Sequence, residues 1–141
     1  MLLETLISLF FVIFSCLVAF MDIRTQSVPR AVFVLALPVL LSLKLLLRSQ
    51  FALFQSLSGL FAGLLIFLLA FFLSGKKLGL ADVWYSSLSG LVLGLRFWYA
   101  AVCVACAAAV IYILLFKKRR IPFIPFLAFG SISMLIFQGF L

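Results

Sequence analysis

Apolar runs, each about the length of a membrane crossing, fill this chain from end to end, with only short polar breaks between them. A helix crossing the hydrocarbon core needs about 20 such residues, so the breaks mark the ends of spans. They divide the chain into six: Leu2–Met21, Ala31–Leu47, Phe51–Leu73, Leu80–Leu95, Phe97–Phe116 and Pro122–Leu141. The second and fourth are short and should tilt little or thin the bilayer locally. Pro38 removes one backbone donor inside the second and should kink it. Only Arg96 marks the division after Leu95.

A water-soluble fold is excluded by composition. Of 141 residues, 68% are hydrophobic and 10% charged, against roughly half and about a quarter in soluble domains. Too little polar surface remains to cover a globule, so the excess apolar surface must face lipid. The expected fold is all-α and polytopic, with about six transmembrane helices in one domain over residues 1–141 and no soluble domain. A cleaved signal peptide is the rival for residues 1–21. That segment has no basic start, and Glu4 is its only charge; it reads as a retained first helix.

The positive charges set an orientation. Arg24, Arg30, Lys76, Lys77, Lys117, Lys118, Arg119 and Arg120 fall in the first, third and fifth breaks; Lys44, Arg48 and Arg96 hold or border the second and fourth. Eight against three makes the odd-numbered breaks cytoplasmic and both termini external. The net charge of +8 is then explained by topology and anionic headgroups. Nucleic acid is not an expected partner, because the charges are scattered over loops with no aromatic platform.

The chain has no histidine, and its cysteines, Cys16, Cys103 and Cys106, lie in apolar runs. No usual zinc set can form, and neither a metal nor a cofactor is expected. The Cys103–Cys106 C-x-x-C reads as small packing residues on a helix rich in alanine.

Only three acids remain: Glu4, Asp22 and Asp82. Glu4 is near the outer end of the first span and should reach water. The topology puts Asp22 and Asp82 on the cytoplasmic side at similar depth. Two carboxylates meeting there can hydrolyse a peptide without a metal. Both cannot ionise easily, so the charged one takes a proton from water while the protonated one polarises the scissile carbonyl. The two titrations belong to the pair rather than to either residue. The residues leave other roles open: Asp82 as a helix cap, and Asp22 paired with Arg24 in a solvated loop. A charged aspartate costs on the order of 3 kcal/mol at a span's centre and less near the interface. A chain with no use for two has little reason to carry them.

The residues around both acids carry a resemblance. Asp22-Ile-Arg-Thr-Gln-Ser-Val-Pro29 resembles the first aspartate motif of type IV prepilin peptidases. Gly75-Lys-Lys-Leu-Gly-Leu-Ala-Asp-Val83 resembles their second, G-x-G-D, and Ile121-Pro-Phe-Ile-Pro-Phe-Leu-Ala-Phe-Gly130 resembles their I-P-F-G-P-F-L-A-x-G stretch. Three matches in order span essentially the whole chain. The resemblance implies a six-helix membrane aspartyl protease with Asp22 and Asp82 catalytic. It also implies substrates that are pilin-like precursors, with a basic leader ahead of a hydrophobic helix, cut at the cytoplasmic face of the cell membrane. Larger relatives carry a cytoplasmic insertion with paired C-x-x-C motifs linked to methylation; the first break here is short and has no cysteine, so only the peptidase part is implied.

Three further residues are assigned supporting roles. Gly79 is expected to allow a tight turn beside Asp82 and close approach of substrate. Pro29 should stiffen entry into the second span. Ala81 stands at the second motif glycine, where a methyl restricts φ and crowds a substrate backbone. Trp84 and Arg30 stand where relatives often have Lys and Asn, and Pro122 and Pro125 should make the start of the last span irregular. Ala81 keeps a catalytically silent scaffold of a pilus or secretion assembly in play. A small transporter subunit is the third reading, since intramembrane acids mark ion paths. Against it, no inverted repeat is evident and no acid lies near a span's midplane.

Overall fold

The computed structural model describes residues 1–47, 50–118 and 120–140. Arg48 and Arg119 of the charge count, and the end of the sixth expected span at Leu141, lie outside them. Among the described residues the chain is helical with no strand: α1 Leu2–Thr25, α2 Arg30–Leu46, α3 Gln50–Leu73, α4 Leu80–Phe116 and α5 Ile124–Phe140.

These helices are apolar on both faces, as lipid-facing helices must be. In α1 the inner stripe is Ile7, Phe11, Phe14, Ser15, Val18 and Asp22. Its outer side exposes Leu6, Leu9, Ile13, Leu17 and Phe20. Three elements, α1, α3 and α4, are long and apolar enough to cross a membrane, and Ile124–Gly139 is a shorter apolar helix. The expected integral membrane character is thus met, while the count of six crossings is not given by helix length.

The main departure from expectation is α4. Its 37 residues would extend about 55 Å if straight, yet Gly94 inside it has φ 76 and ψ 166. That region is open to glycine and almost closed to other residues. The chain doubles back there: Trp98 Nε1 donates to Ser86 Oγ at 3.0 Å, whereas a straight helix would hold these residues about 18 Å apart. The turn is at Gly94, two residues before the expected Arg96, because backbone conformation rather than charge sets it. Lys44 supports it by donating from Nζ to the Val92 carbonyl at 2.9 Å, an oxygen near the break. Lys44 is therefore partly buried, not merely a loop charge.

Backbone contact between small residues holds the bundle together. A Cβ on Gly59 or Gly90 would collide with the other's carbonyl oxygen, and one on Gly63 would meet that of Ser86. Gly59-x-x-x-Gly63 on α3 thus packs against Ser86-x-x-x-Gly90 on α4. This is how helices associate in lipid, where little hydrophobic force acts between them. Gly130 of α5 approaches the Ala101 carbonyl in the same way, and Ala101, Ala105 and Ala109 are buried.

The cysteines do not share in this packing. Cys16, Cys103 and Cys106 are all exposed, so the packing role expected of Cys103 and Cys106 is corrected. The alanines one turn apart face inward, and the helical period turns the cysteines out. Across Pro38, α2 is continuous; Pro29 is its N-cap, with φ −65.

Two hollows lie at opposite ends of the bundle. One, of about 740 Å³, includes Glu4, Lys44, Gln55, Val92, Gly94 and Gln138 in its lining. The other, of about 340 Å³, is lined by Ile23, Gln26, Tyr112, Lys118, Arg120 and Phe126 among others. The end of α1, the end of α4 and the start of α5 thus meet at the second hollow, while the start of α1 and the end of α5 meet at the first.

Candidate active site

Asp22 is brought inward by the helical period. It lies one turn beyond Val18 on the buried stripe of α1 and is only 8% exposed. The helix runs on to Thr25, past the expected end at Met21. Asp22 is therefore a helical, buried residue, and its alternative place in a solvated loop is corrected. Arg24 instead turns outward over the Phe20 ring, 5.3 Å from its centroid. The Asp22 carboxylate accepts a hydrogen bond from the backbone N–H of Ile124, the first residue of α5.

The prolines at the start of α5 make sense here. Pro122 precedes the helix and Pro125 lies in its first turn, where the missing N–H would have had no helical partner. They begin the helix where the Ile124 N–H faces Asp22. Helix N-terminal N–H groups suit a carboxylate both as donors and through the helix dipole.

Asp82 is held in the corresponding way. It is in the first turn of α4, 7% exposed, and its Oδ2 accepts the Gly79 N–H at 3.1 Å. The capping role is therefore real, and the carboxylate is buried as well. Asp22 and Asp82 lie close enough to act on each other electrostatically. Of the three acids, these two are brought together; Glu4 is exposed and lines the large hollow at the opposite end, within electrostatic reach of Lys44.

Two expected roles change. Gly79 has φ −72, a value open to any residue, so no special turn needs glycine there. What needs it is proximity, since a Cβ would stand 3.0 Å from Asp82 Oδ2. Ala81 lies within α4, so its methyl imposes no restriction on φ that the helix does not already satisfy.

Beneath the two acids is a second polar layer that the sequence reading missed. Tyr85, fully buried, donates from its hydroxyl to Ser15 Oγ at 2.8 Å. Ser131 of α5 is its other hydrogen-bonding neighbour, and both serines are buried. The clue was helical spacing: Ser15 is seven residues before Asp22, and Tyr85 three after Asp82. Among the described residues, no three Cys, Asp or Glu side chains come together to hold a metal ion.

Two buried acids from separate helices, within electrostatic reach of each other at one end of a bundle, belong to a stretch that a family model recognises. The model of the type IV leader peptidase family matches residues 9–114. The chain belongs to this family. The match includes both aspartates and stops before the Ile121–Gly130 stretch, so the third motif stands on its resemblance and its packing. As a leader peptidase family member the chain is of protease type, and in this family the proteases are aspartyl enzymes. No curated protein and no solved structure matches the chain.

Proposed function

We propose that this leader peptidase is a membrane-embedded aspartyl endopeptidase that removes the leader from type IV prepilin or pilin-like precursors. Asp22 and Asp82 are its catalytic pair. The observation that carries this reading is that these two buried carboxylates lie within electrostatic reach of each other at one end of the bundle.

The chemistry follows from the pair. The ionised carboxylate takes a proton from a water whose oxygen attacks the scissile carbonyl carbon. The protonated partner donates to the carbonyl oxygen as charge develops there. Collapse of the tetrahedral intermediate breaks the C–N bond, and a carboxyl proton passes to the leaving amine. Which aspartate plays which part belongs to the coupled pair. The Ile124 and Gly79 N–H groups hold the two carboxylates in orientation throughout.

The reading extends to six crossings, with residues 80–93 and 95–116 as separate spans, in the cell membrane. Both termini are external and the aspartates cytoplasmic, as the basic residues favour. A precursor's basic leader would then meet the site from the cytoplasm, with its hydrophobic helix in lipid.

The test is cleavage of candidate prepilins co-expressed with wild type or with Asp82→Asn. Leader loss with wild type alone, the variant remaining folded, supports the proposal. No cleavage by folded wild type turns the reading to a silent scaffold of the assembly.

A further inference from the structure

Three helices converge on the two aspartates, and each carries one member of the buried Tyr85, Ser15 and Ser131 cluster. Ser15 is on α1, seven residues before Asp22. Tyr85 is on α4, three after Asp82. Ser131 is on α5, seven after Ile124, which donates to Asp22. At about 1.5 Å per residue, both serines lie about 10 Å below the site level, within reach of the long Tyr85 side chain. All three are nearly inaccessible, at 0%, 0% and 1% for Ser15, Tyr85 and Ser131. None can touch a substrate.

The contacts between α1 and α4 give this cluster its importance. α3 and α4 are locked by glycines in backbone contact, whereas α1, Leu2–Thr25, contains no glycine through which to approach α4 in that way. Among the described residues, the bond from Tyr85 to Ser15 is the side-chain hydrogen bond that crosses between them. In hydrocarbon surroundings an unpaired hydroxyl is costly, which favours keeping the bond made. Phe11 packs on the Tyr85 ring, 6.1 Å between centroids, and fixes the ring from the α1 side.

We propose that Tyr85 is a positioning residue, which through Ser15 and Ser131 sets the separation at which Asp22 and Asp82 act on one water. The proposal rests on the peptidase reading for its consequence in catalysis, though not for its geometry. A pair that shares one water tolerates little displacement, since a misplacement of about 1 Å can cost on the order of a hundredfold in rate. A bundle clamped only near the membrane surface would let α1 slide or tilt against α4. The buried hydroxyl cluster removes that freedom a turn or two below the chemistry.

The test has two arms. In the first, purified wild type, Tyr85→Phe, Ser15→Ala and their double variant are compared on a prepilin substrate. Tyr85→Phe should lower kcat roughly ten- to a hundredfold with KM unchanged. Ser15→Ala should do the same, Ser15→Thr should restore most of the loss by keeping a hydroxyl, and the double variant should be no worse than either single one. Additive losses, or a rise in KM alone, overturn the proposal. In the second arm, spin labels are placed at Ile23→Cys and Leu80→Cys after Cys16, Cys103 and Cys106 are changed to Ser. The distance distribution should be narrow with Tyr85 present and broader with Tyr85→Phe. An unchanged distribution overturns the proposal whatever the activity. Wild type that fails to cleave while the distribution still broadens leaves the positioning geometry standing and sinks the peptidase reading instead. Should Tyr85→Phe fail to fold, Ser15→Ala serves both arms.

Discussion

Gly59 and Gly90 face each other with no side chain between them, so that a methyl on either would collide with the other's carbonyl oxygen. Gly59→Ala or Gly90→Ala must force α3 and α4 apart, because the obstacle is backbone and cannot rotate away. Overpacking of this kind costs about 1–3 kcal/mol. Reversible unfolding in detergent should show a loss of that size for either variant. Gly139, with open space around its missing Cβ, is the control and should tolerate alanine.

Gly79→Ala separates geometry from stability. The new methyl would crowd Asp82 Oδ2 at 3.0 Å and displace the carboxylate, while the backbone φ of −72 suits alanine. The folded fraction should stay near wild type, with cleavage falling about tenfold or more. A variant as active as wild type would show that the carboxylate can shift without consequence.

Gly94→Ala attacks the reversal of α4. With φ 76 and ψ 166, alanine there is strained by about 1–3 kcal/mol. The expected result is reduced unfolding stability. Trp98 emission should also change if the Ser86 bond is lost.

Lys44→Met keeps the aliphatic stem but leaves the Val92 carbonyl without its ammonium donor. The cost should be about 1–3 kcal/mol in stability. Activity per folded molecule should be unchanged, because Lys44 is at the end of the bundle opposite the aspartates. A fall in kcat with intact stability would contradict that separation.

Asp22→Asn and Asp82→Asn should each abolish cleavage, at least a hundredfold below wild type, and leave the bundle assembled. Both replacements preserve shape and can still accept the Ile124 and Gly79 N–H bonds. Measuring leader removal beside unfolding stability for the same preparations distinguishes lost chemistry from lost fold.

Helix positions were legible because lipid imposes a simple demand: long apolar runs must become helices, since an unpaired backbone group in hydrocarbon is costly. The boundaries were less so. The run to Thr25 was hidden because Asp22 and Arg24 look like loop residues, although the helical period carries Asp22 inward from Val18. The turn at Gly94 was misplaced to Arg96 because charge was followed and the glycine was not. The Gly59-x-x-x-Gly63 and Ser86-x-x-x-Gly90 patterns were present to be read, but spacing on one helix does not say which partner helix it meets.

The sequence by itself determined that this protein is helical and built for a bilayer, and that its chemistry would have to come from a very few acids. Those follow from composition and period, which act locally along the chain. Tertiary structure decided that Asp22 and Asp82 come within electrostatic reach of each other, that Gly79 leaves room for a carboxylate rather than a turn, and that Tyr85 ties α1 to α4 beneath them. Each of those is a relation between helices far apart in sequence. It is fixed only when small residues let backbones touch and buried polar groups must find one another.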